Sequence, residues 1–317
     1  MKIIKNRSAA FAPATIGNVS IGFDILGMAI SGAGDIVELR LRKDSKVVIQ
    51  SIKGVVETIP LKTHKNTAGA ALEALIKGEN LKVGFDVFIT KGIPLGSGMG
   101  GSAASAVAAI VAASSMLNYK IDFNKQFYYA MEGEKVASGA AHPDNVAPCF
   151  KGGITLASLN FIEPVQCLPF PKNLNWVLVH PEIKVETKQA RALLKKSVSL
   201  ELYVEQSAKL SLFIKGLFEK DLKLIQQGFE DQMIEPQRAQ LIPEFHKVKE
   251  KVLSVKGVLG FSISGSGPSV FALAESPEKV QIAGKLIQKE FKKINIPSQM
   301  YSGSGAARGA RKISLSK

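Results

Sequence analysis

Residues 91–115 read KGIPLGSGMGGSAASAVAAIVAASS, with four glycines, Gly96, Gly98, Gly100 and Gly101, in the six residues 96–101. Residues without a Cβ accept positive φ, so several backbone N–H groups can turn toward one bulky anion. A helix beginning near Ser102 would add its unpaired N-terminal donors and the positive end of its dipole at the same place. The chemistry this suits is the binding of a phosphate group. No Gly-Lys-Ser/Thr closes the loop as in a Walker motif, and no acidic residue follows at the spacing of a dinucleotide fingerprint. The same residues would also make a plain strand-to-helix turn in front of an alanine-packed helix, and the loop alone does not separate the two.

Other polar groups stand in unusual company. Residues 11–30, FAPATIGNVSIGFDILGMAI, set Asn18 and Asp24 in an otherwise apolar segment. They are either turn formers bonded to local backbone or the lining of a cleft that holds a small polar ligand. His142, Asp144 and Asn145 fall within four residues of the segment 138–148, SGAAHPDNVAP, which reads as a binding loop. Glu132 and Glu134 lie at the polar end of a helix, where carboxylates are usually just solvated, yet a metal at a phosphate site needs oxygen ligands. Arg191 falls one turn into a helix, ETKQARALLKK, that Thr187 would cap, and Arg238 follows a break at Pro236. Either arginine could sit in water, but a guanidinium fork is also what a carboxylate ligand requires. The turn Gly265-Ser266-Gly267 offers a second set of exposed N–H groups.

The elements that must position these groups follow from periodicity. Three β-like runs, DIVELRL, KVVIQSI and VVETIP, occupy residues 35–60. Asn66 caps a helix, TAGAALEALIK, ended by Gly78. Val83, Phe85, Val87 and Ile89 then alternate along a strand that feeds the glycine loop directly, the context in which a phosphate cradle is believable. Asp122 caps a helix whose Phe123, Phe127, Ala130 and Met131 form one apolar stripe. Beyond it come strands GGITLASL and NWVLVHPE, helical sequence over 199–227, the hairpin-like run GVLGFSISGSGPSVFAL, a helix opened by Ser276-Pro277-Glu278, and a last strand near 299–302. Strands and helices without regular alternation, dividing near Asn160, predict an α+β protein of two domains, 1–160 and 161–317.

Composition narrows the class. With 317 residues, 46% hydrophobic and 21% charged, the chain can bury two substantial cores. The apolar run 103–117 is short and alanine-rich, a buried helix rather than a membrane span. The first residues show no apolar signal core, so a cytoplasmic protein is expected. Cys149 and Cys167 have no metal-ligand spacing and read as small core hydrophobes. The net charge of +14 suits an anionic ligand such as a nucleotide. The lysines are spread, however, and no basic block alternates with stacking aromatics, so no nucleic-acid surface is expected.

Three motifs stand in one order: PATIGNVSIGFD at 13–24, PLGSGMGGSAAS at 94–105 and GFSISGSGPSVFAL at 260–273. Together they resemble the GHMP kinases, small-molecule kinases that include galactose, homoserine, mevalonate and phosphomevalonate kinases. The first motif, the run from His142 to Pro148, the segment Thr187-x-x-Ala190-Arg191, and Glu235-Pro236-x-Arg238 with Leu241-Ile242-Pro243 are similar to those of the homoserine kinase branch.

The resemblance implies an N-terminal ribosomal-protein-like βαβ domain that binds ATP and a ferredoxin-like C-terminal domain. It implies ATP-dependent phosphorylation of the side-chain hydroxyl of L-homoserine on the route to threonine. Carried over by position, Pro94, Leu95, Gly96, Ser97, Gly98, Met99, Gly100, Gly101, Ser102 and Ala103, with Lys91, hold the triphosphate, and Asn66 lies near the adenine. Ser102 and Glu134 bind Mg²⁺. Asp24 and Asn18 meet the substrate's hydroxyl and amino end, His142 and Asn145 its middle, and Thr187, Arg191, Arg238 and Gly265 its carboxylate side. Asn145 stands where some sister kinases carry an Asp base, so direct transfer is expected, with Asp24 orienting the hydroxyl and Arg191 clamping the substrate. A homodimer is also implied. Three departures stand out: Gly101 stands where the family's second motif has a serine, Ile16-Gly17 and Val19-Ser20 replace the commoner Ser-Ala and Leu-Gly of the first motif, and Lys195 replaces a proline after Leu194. The competing readings are a kinase of the same family for another small alcohol, and a non-catalytic binding protein on the same scaffold.

Overall fold

The structure, a computed structural model, describes residues 3–56, 59–139 and 142–314. In chain order its elements are β1 (Arg7–Gly17), β2 (Leu26–Arg42), β3 (Val47–Gly54), α1 (Thr67–Gly78), β4 (Gly84–Lys91), α2 (Gly101–Ser114), α3 (Phe123–Ser138) and α4 (Pro143–Lys151). Then follow β5 (Ile154–Ala157), β6 (Val165–Leu168), β7 (Asn175–Pro181), α5 (Thr187–Ala192), α6 (Leu200–Glu219), α7 (Leu222–Gly228), α8 (Glu235–Arg238) and α9 (Phe245–Leu253). The chain closes with β8 (Val258–Ile263), β9 (Val270–Ala274), α10 (Pro277–Lys293), β10 (Ser298–Ser304) and β11 (Arg311–Ile313).

The first sheet runs β11-β1-β2-β4-β3, with β5 paired to β2 and β6 to β5. Its one parallel pair among the described residues is β3 with β4, joined through α1, which is the expected βαβ unit. α2 lies against β1, β2, α1 and α3, and its alanines let neighbours approach so closely that the helix is buried nearly all round. That burial fixes its N-terminus, and with it the glycine loop.

The second sheet runs β10-β7-β9-β8, the fourth, first, third and second of its strands, which is the ferredoxin-like order. Alternation along β7 sends Trp176 and Leu178 into the larger core, with Phe213 and Leu217 of α6 and Phe229, while Val177 and Val179 face the smaller core under α9 and α10. The larger core is continuous from the first sheet to the second.

Several expectations need adjustment. The division at Asn160 falls inside the β5–β6 hairpin, whose pairing of Ala157 with Val165 and Ile154 with Leu168 keeps the chain in the first sheet to Leu168. β11 then returns the C-terminal end to the same sheet by pairing with β1. Of the third β-like run, Val55 and Val56 are not in a strand, and residues 57 and 58 lie outside the described residues. The binding loop read at 138–148 becomes a helix, α4, from Pro143 onward, because a proline at the first helical position has its φ preset and no N–H to satisfy. Thr187 does not cap α5: the N-cap is Glu186, without a side-chain cap hydrogen bond.

Candidate active site

A cleft of about 460 Å³ lies where the glycine loop, the first motif, α4, α5, α8 and the β8–β9 turn meet. The loop's own carbonyls explain how it can receive an anion. Gly96 O accepts from the Val185 N–H at 3.2 Å, Ser97 O from Ser269 N–H at 3.2 Å, and Met99 O from Thr15 N–H at 3.1 Å. Gly98 O accepts from the Ser264 hydroxyl at 2.7 Å. Four successive carbonyls are thus held by β1 and by the second domain. A trans peptide sets N–H opposite C=O, so the N–H groups of Ser97, Gly98 and Gly100 are turned the other way. Gly96, Gly98 and Gly100 reach this shape at φ of 64°, 73° and 66°. A Cβ on Gly100 would lie 2.0 Å from Thr15 Oγ1. The unpaired N-terminal donors of α2 complete the cradle. Met99 and Ala103 bury their side chains in the core, so they can offer a phosphate only backbone, whereas Leu95 is exposed at the rim beside Pro94.

Lys91 departs from the expected phosphate contact. Its ammonium is buried and paired with Asp35, and donates to Gly101 O at 2.8 Å and Ser105 Oγ at 2.9 Å. With its three donors taken, it braces the first turn of α2 from beneath. Asp35 also accepts from the Gly92 N–H at 3.1 Å and the Ser105 hydroxyl at 2.6 Å. Asp35 went unread in the sequence, although a signal was there: it lies in phase with Val37 and Leu39 on the core-facing side of its strand. Asn66 is likewise occupied. Its Oδ1 caps α1 through the Ala68 and Gly69 N–H groups and its Nδ2 donates to Pro60 O at 3.2 Å, so at the cleft wall it is a structural cap.

Ser102 and Glu134 do meet: the hydroxyl donates to Glu134 Oε1 at 3.0 Å. Burial pushes the Glu134 carboxyl up to about 8, against the Ser102 hydrogen bond, with repulsion from Asp144 adding to the rise. A dry carboxylate and a hydroxyl beside a phosphate cradle fit a Mg²⁺ ion, which takes few protein oxygens and completes its shell with water and phosphate.

At the opposite end of the cleft the charges are mixed. Asp24 accepts from Arg191 at 2.8 and 3.0 Å and stands 3.3 Å from His142 Nδ1. Burial works to raise its carboxyl, but His142 and Arg191 hold it below the ordinary range. The Asn18 side chain accepts from the Asp24 N–H at 3.1 Å and donates to Gly265 O at 3.2 Å. Arg238 donates to the same carbonyl at 2.8 Å. The Gly265 N–H is spent on Gly17 O at 3.1 Å, so Gly265 shapes the site through its carbonyl rather than by donating to a ligand. Burial and the neighbouring Arg191 lower the Arg238 guanidinium from its ordinary value. Both guanidiniums lie over Phe23, at 5.3 and 5.1 Å from the ring centroid, a placement that eases their repulsion. Thr187 Oγ1 is 3.4 Å from Ser266 Oγ at the rim.

Asn145 and Asp144 stand side by side in the first turn of α4. The Thr15 hydroxyl donates to Asn145 Oδ1 at 2.7 Å, which leaves the amide nitrogen to offer. Asp144 is buried, and burial with the nearby Asp24 charge pushes its carboxyl up to about 6, against His142, Arg238 and the Asn18 N–H. A carboxyl raised in the folded state costs stability once the unfolded chain ionises. Asp144→Asn is therefore expected to gain stability over the parent as pH rises from about 4 to about 6, by up to a few kcal/mol, and to hold that gain above. Thermal melts of the two ligand-free proteins across that range check it; parallel curves would show that Asp144 ionises freely.

Among the described residues, four buried polar atoms of this cleft lack a hydrogen-bond partner: Arg191 Nε, Arg238 Nε, His142 Nε2 and Asp144 Oδ1. Such groups carry a cost that a ligand can remove.

A phosphate cradle facing a small charged pocket, on a βαβ domain joined to a ferredoxin-like one, is the architecture of the GHMP kinases, and the chain belongs to that family. The family models for the GHMP kinases N terminal domain and the GHMP kinases C terminal match residues 66–153 and 213–293. Within the family it falls among the homoserine kinases. A homoserine kinase of Xylella fastidiosa is 40% identical over 306 residues, covering 96% of this chain and 94% of that protein. One from Chlorobaculum tepidum is 40% identical over 317 residues, covering 96% and 97%. The crystal structure of homoserine kinase from Cytophaga hutchinsonii superposes with a TM-score of 0.92 at 40% identity, covering 99% of each chain.

Proposed function

We propose that this chain transfers the γ-phosphoryl of ATP to the side-chain hydroxyl of L-homoserine, giving O-phospho-L-homoserine and ADP. The observation that carries this reading is the set of unpartnered buried atoms of both signs at the end of the cleft, Arg191 and Arg238 beside Asp144. A small zwitterion satisfies all of them: its carboxylate takes the guanidiniums, and its ammonium takes Asp144. The loop from Gly96 to Gly101 and the start of α2 receive the phosphates, with Lys91 and Asp35 setting the backbone that does so. Ser102 and Glu134 would hold a Mg²⁺ ion, which would supply positive charge to offset that of the nucleotide's phosphates.

The acceptor hydroxyl needs positioning more than it needs a base, because phosphoryl transfer passes through a loose transition state. Asn145, with its oxygen held by Thr15, can donate to that hydroxyl but cannot take its proton. Asp24 is too acidic, under Arg191 and His142, to be an effective base, and orients the hydroxyl instead. A homodimer rests on the family resemblance, and sedimentation of the purified chain tests it; a cytoplasmic location rests on the polar first residues. No helix among the described residues is long and apolar enough to cross a membrane.

The test is ADP release with Mg-ATP and, separately, L-homoserine, mevalonate, galactose and L-serine, each repeated with Arg191→Ala. Release that depends on L-homoserine and collapses in the variant is the expected result. Release with mevalonate or galactose instead would keep the kinase and overturn the substrate.

A further inference from the structure

The loop that carries Asn18 and Asp24 is closed by bonds of its own, from the Gly22 N–H to Asn18 O at 2.9 Å and from the Ile21 N–H to Val19 O at 3.0 Å, and it is braced from outside as well. Asn18, Val19, Ser20 and Asp24 take φ of 67°, 44°, 64° and 62°. Side chains with a Cβ enter that region only under constraint, and β-branched Val19 least readily. Part of that constraint comes from the second domain. The Ser20 hydroxyl donates to Phe229 O at 2.5 Å, and the Gln206 amide donates to Ile21 O at 3.4 Å.

Gln206 is buried on α6, a helix exposed along much of its length. The same amide nitrogen donates to Asp231 Oδ1 at 2.9 Å, while its oxygen accepts from the Gln232 N–H at 3.2 Å. Asp231 is buried as well. Its Oδ1 accepts from the Met233 and Ile234 N–H groups at 2.9 and 3.1 Å, and its Oδ2 from Glu235 N–H at 2.9 Å. These bonds shape the turn that opens α8, and α8 ends on Arg238. One amide and one carboxylate therefore join the strained loop bearing Asp24 to the helix bearing Arg238. Neither side chain lines the cleft.

We propose that Gln206 and Asp231 are positioning residues that set the spacing between Asp24 and Arg238, and so govern acceptance of the substrate without touching nucleotide binding. A leucine would fill the space of Gln206, but only directional bonds hold two backbone segments in one register. The proposal rests on reading this end of the cleft as the amino-acid site.

The experiment measures KM for L-homoserine, KM for ATP, kcat and Tm for Gln206→Leu and Asp231→Asn, each alone and combined with Arg238→Ala. The expected result is a rise of about tenfold in KM for homoserine, the scale of one well-placed hydrogen bond, with KM for ATP within about twofold of the parent. Most of that rise should vanish in the Arg238→Ala background, because the bridge acts through Arg238. An equal rise in both KM values, or an undiminished effect in the Arg238→Ala background, would overturn the proposal. So would failure of both variants to fold, since the bridge would then serve the fold as a whole. Turnover by the parent enzyme decides the substrate separately: if another alcohol is the true acceptor, the same comparison is made on its KM.

Discussion

Arg238→Ala is expected to lower kcat/KM for L-homoserine by about 10²–10³ while leaving ATP affinity nearly unchanged. A charge-assisted hydrogen bond contributes about 1.5–3 kcal/mol, and a guanidinium offers a carboxylate more than one. Arg238 is 3% exposed, so its guanidinium is already largely desolvated before the substrate carboxylate meets it. Its tie to Gly265 O and its place over Phe23 fix the guanidinium before substrate arrives, which spares binding the cost of ordering it. Arg238→Lys should rescue little, because an ammonium presents neither the planar fork nor the stacking face. The check on mechanism lies in the substrate: 3-aminopropan-1-ol, which is homoserine without its carboxylate, should be a poor acceptor for the parent enzyme and no poorer for the variant. A further loss with that analogue would place Arg238 in a role other than carboxylate recognition.

Glu134→Gln is expected to reduce kcat by about 10²–10³, the scale seen when one preorganised electrostatic contact to a transferring group is lost. The glutamine keeps the length of the side chain and can still accept from Ser102, so the change removes charge rather than shape. The metal-free variant should melt higher than the parent at alkaline pH, where the parent holds an ionised carboxylate in a buried setting. Activity and stability thus move in opposite directions, as they do where a site stores unfavourable burial for use. Steady-state rates at varied Mg²⁺, with melts in chelator, test both halves. A variant that is both slower and less stable would make Glu134 a structural residue.

The two variants probe opposite ends of one cleft, and the contrast shows how the domains divide the work. The first domain supplies the glycine loop and Glu134. The second supplies both arginines, and it also supplies Val185, Ser264 and Ser269, which hold three of the four loop carbonyls. The phosphate cradle is therefore formed only when the two domains meet. Their shared core around Trp176, Phe213 and Phe271 keeps them together.

How much of this could be read in advance depends on how local the cause was. The glycine loop was legible because φ and the absence of Cβ act within a few residues, and the caps Asn66, Asp122 and Ser276 because each accepts from an N–H two or three residues on. The resemblance grouped Ser102 with Glu134, and Asp24 with His142, Arg191 and Arg238, and each group stands together in the cleft. Lys91 was misread, since the sequence shows a cation beside a phosphate loop but not that Asp35, 56 residues away, already holds it. Thr187 was misread as a cap because its hydroxyl turns toward Ser266 instead of the backbone of its own helix.

By itself, then, the sequence determined the strands, helices and hairpin and the glycine-rich turn before α2 through short-range conformational preference and periodicity, while the βαβ domain and the amino-acid pocket were read from the resemblance to the GHMP kinases. Only the tertiary structure decided which polar groups remain free for a ligand. Hydrogen-bonding capacity is finite, and whether Lys91, Asn66 or the Gly265 N–H is free depends on partners the chain brings from elsewhere. It also decided that Asp35, Phe23 and Gln206 matter, because their effect arises from burial beside groups distant in sequence.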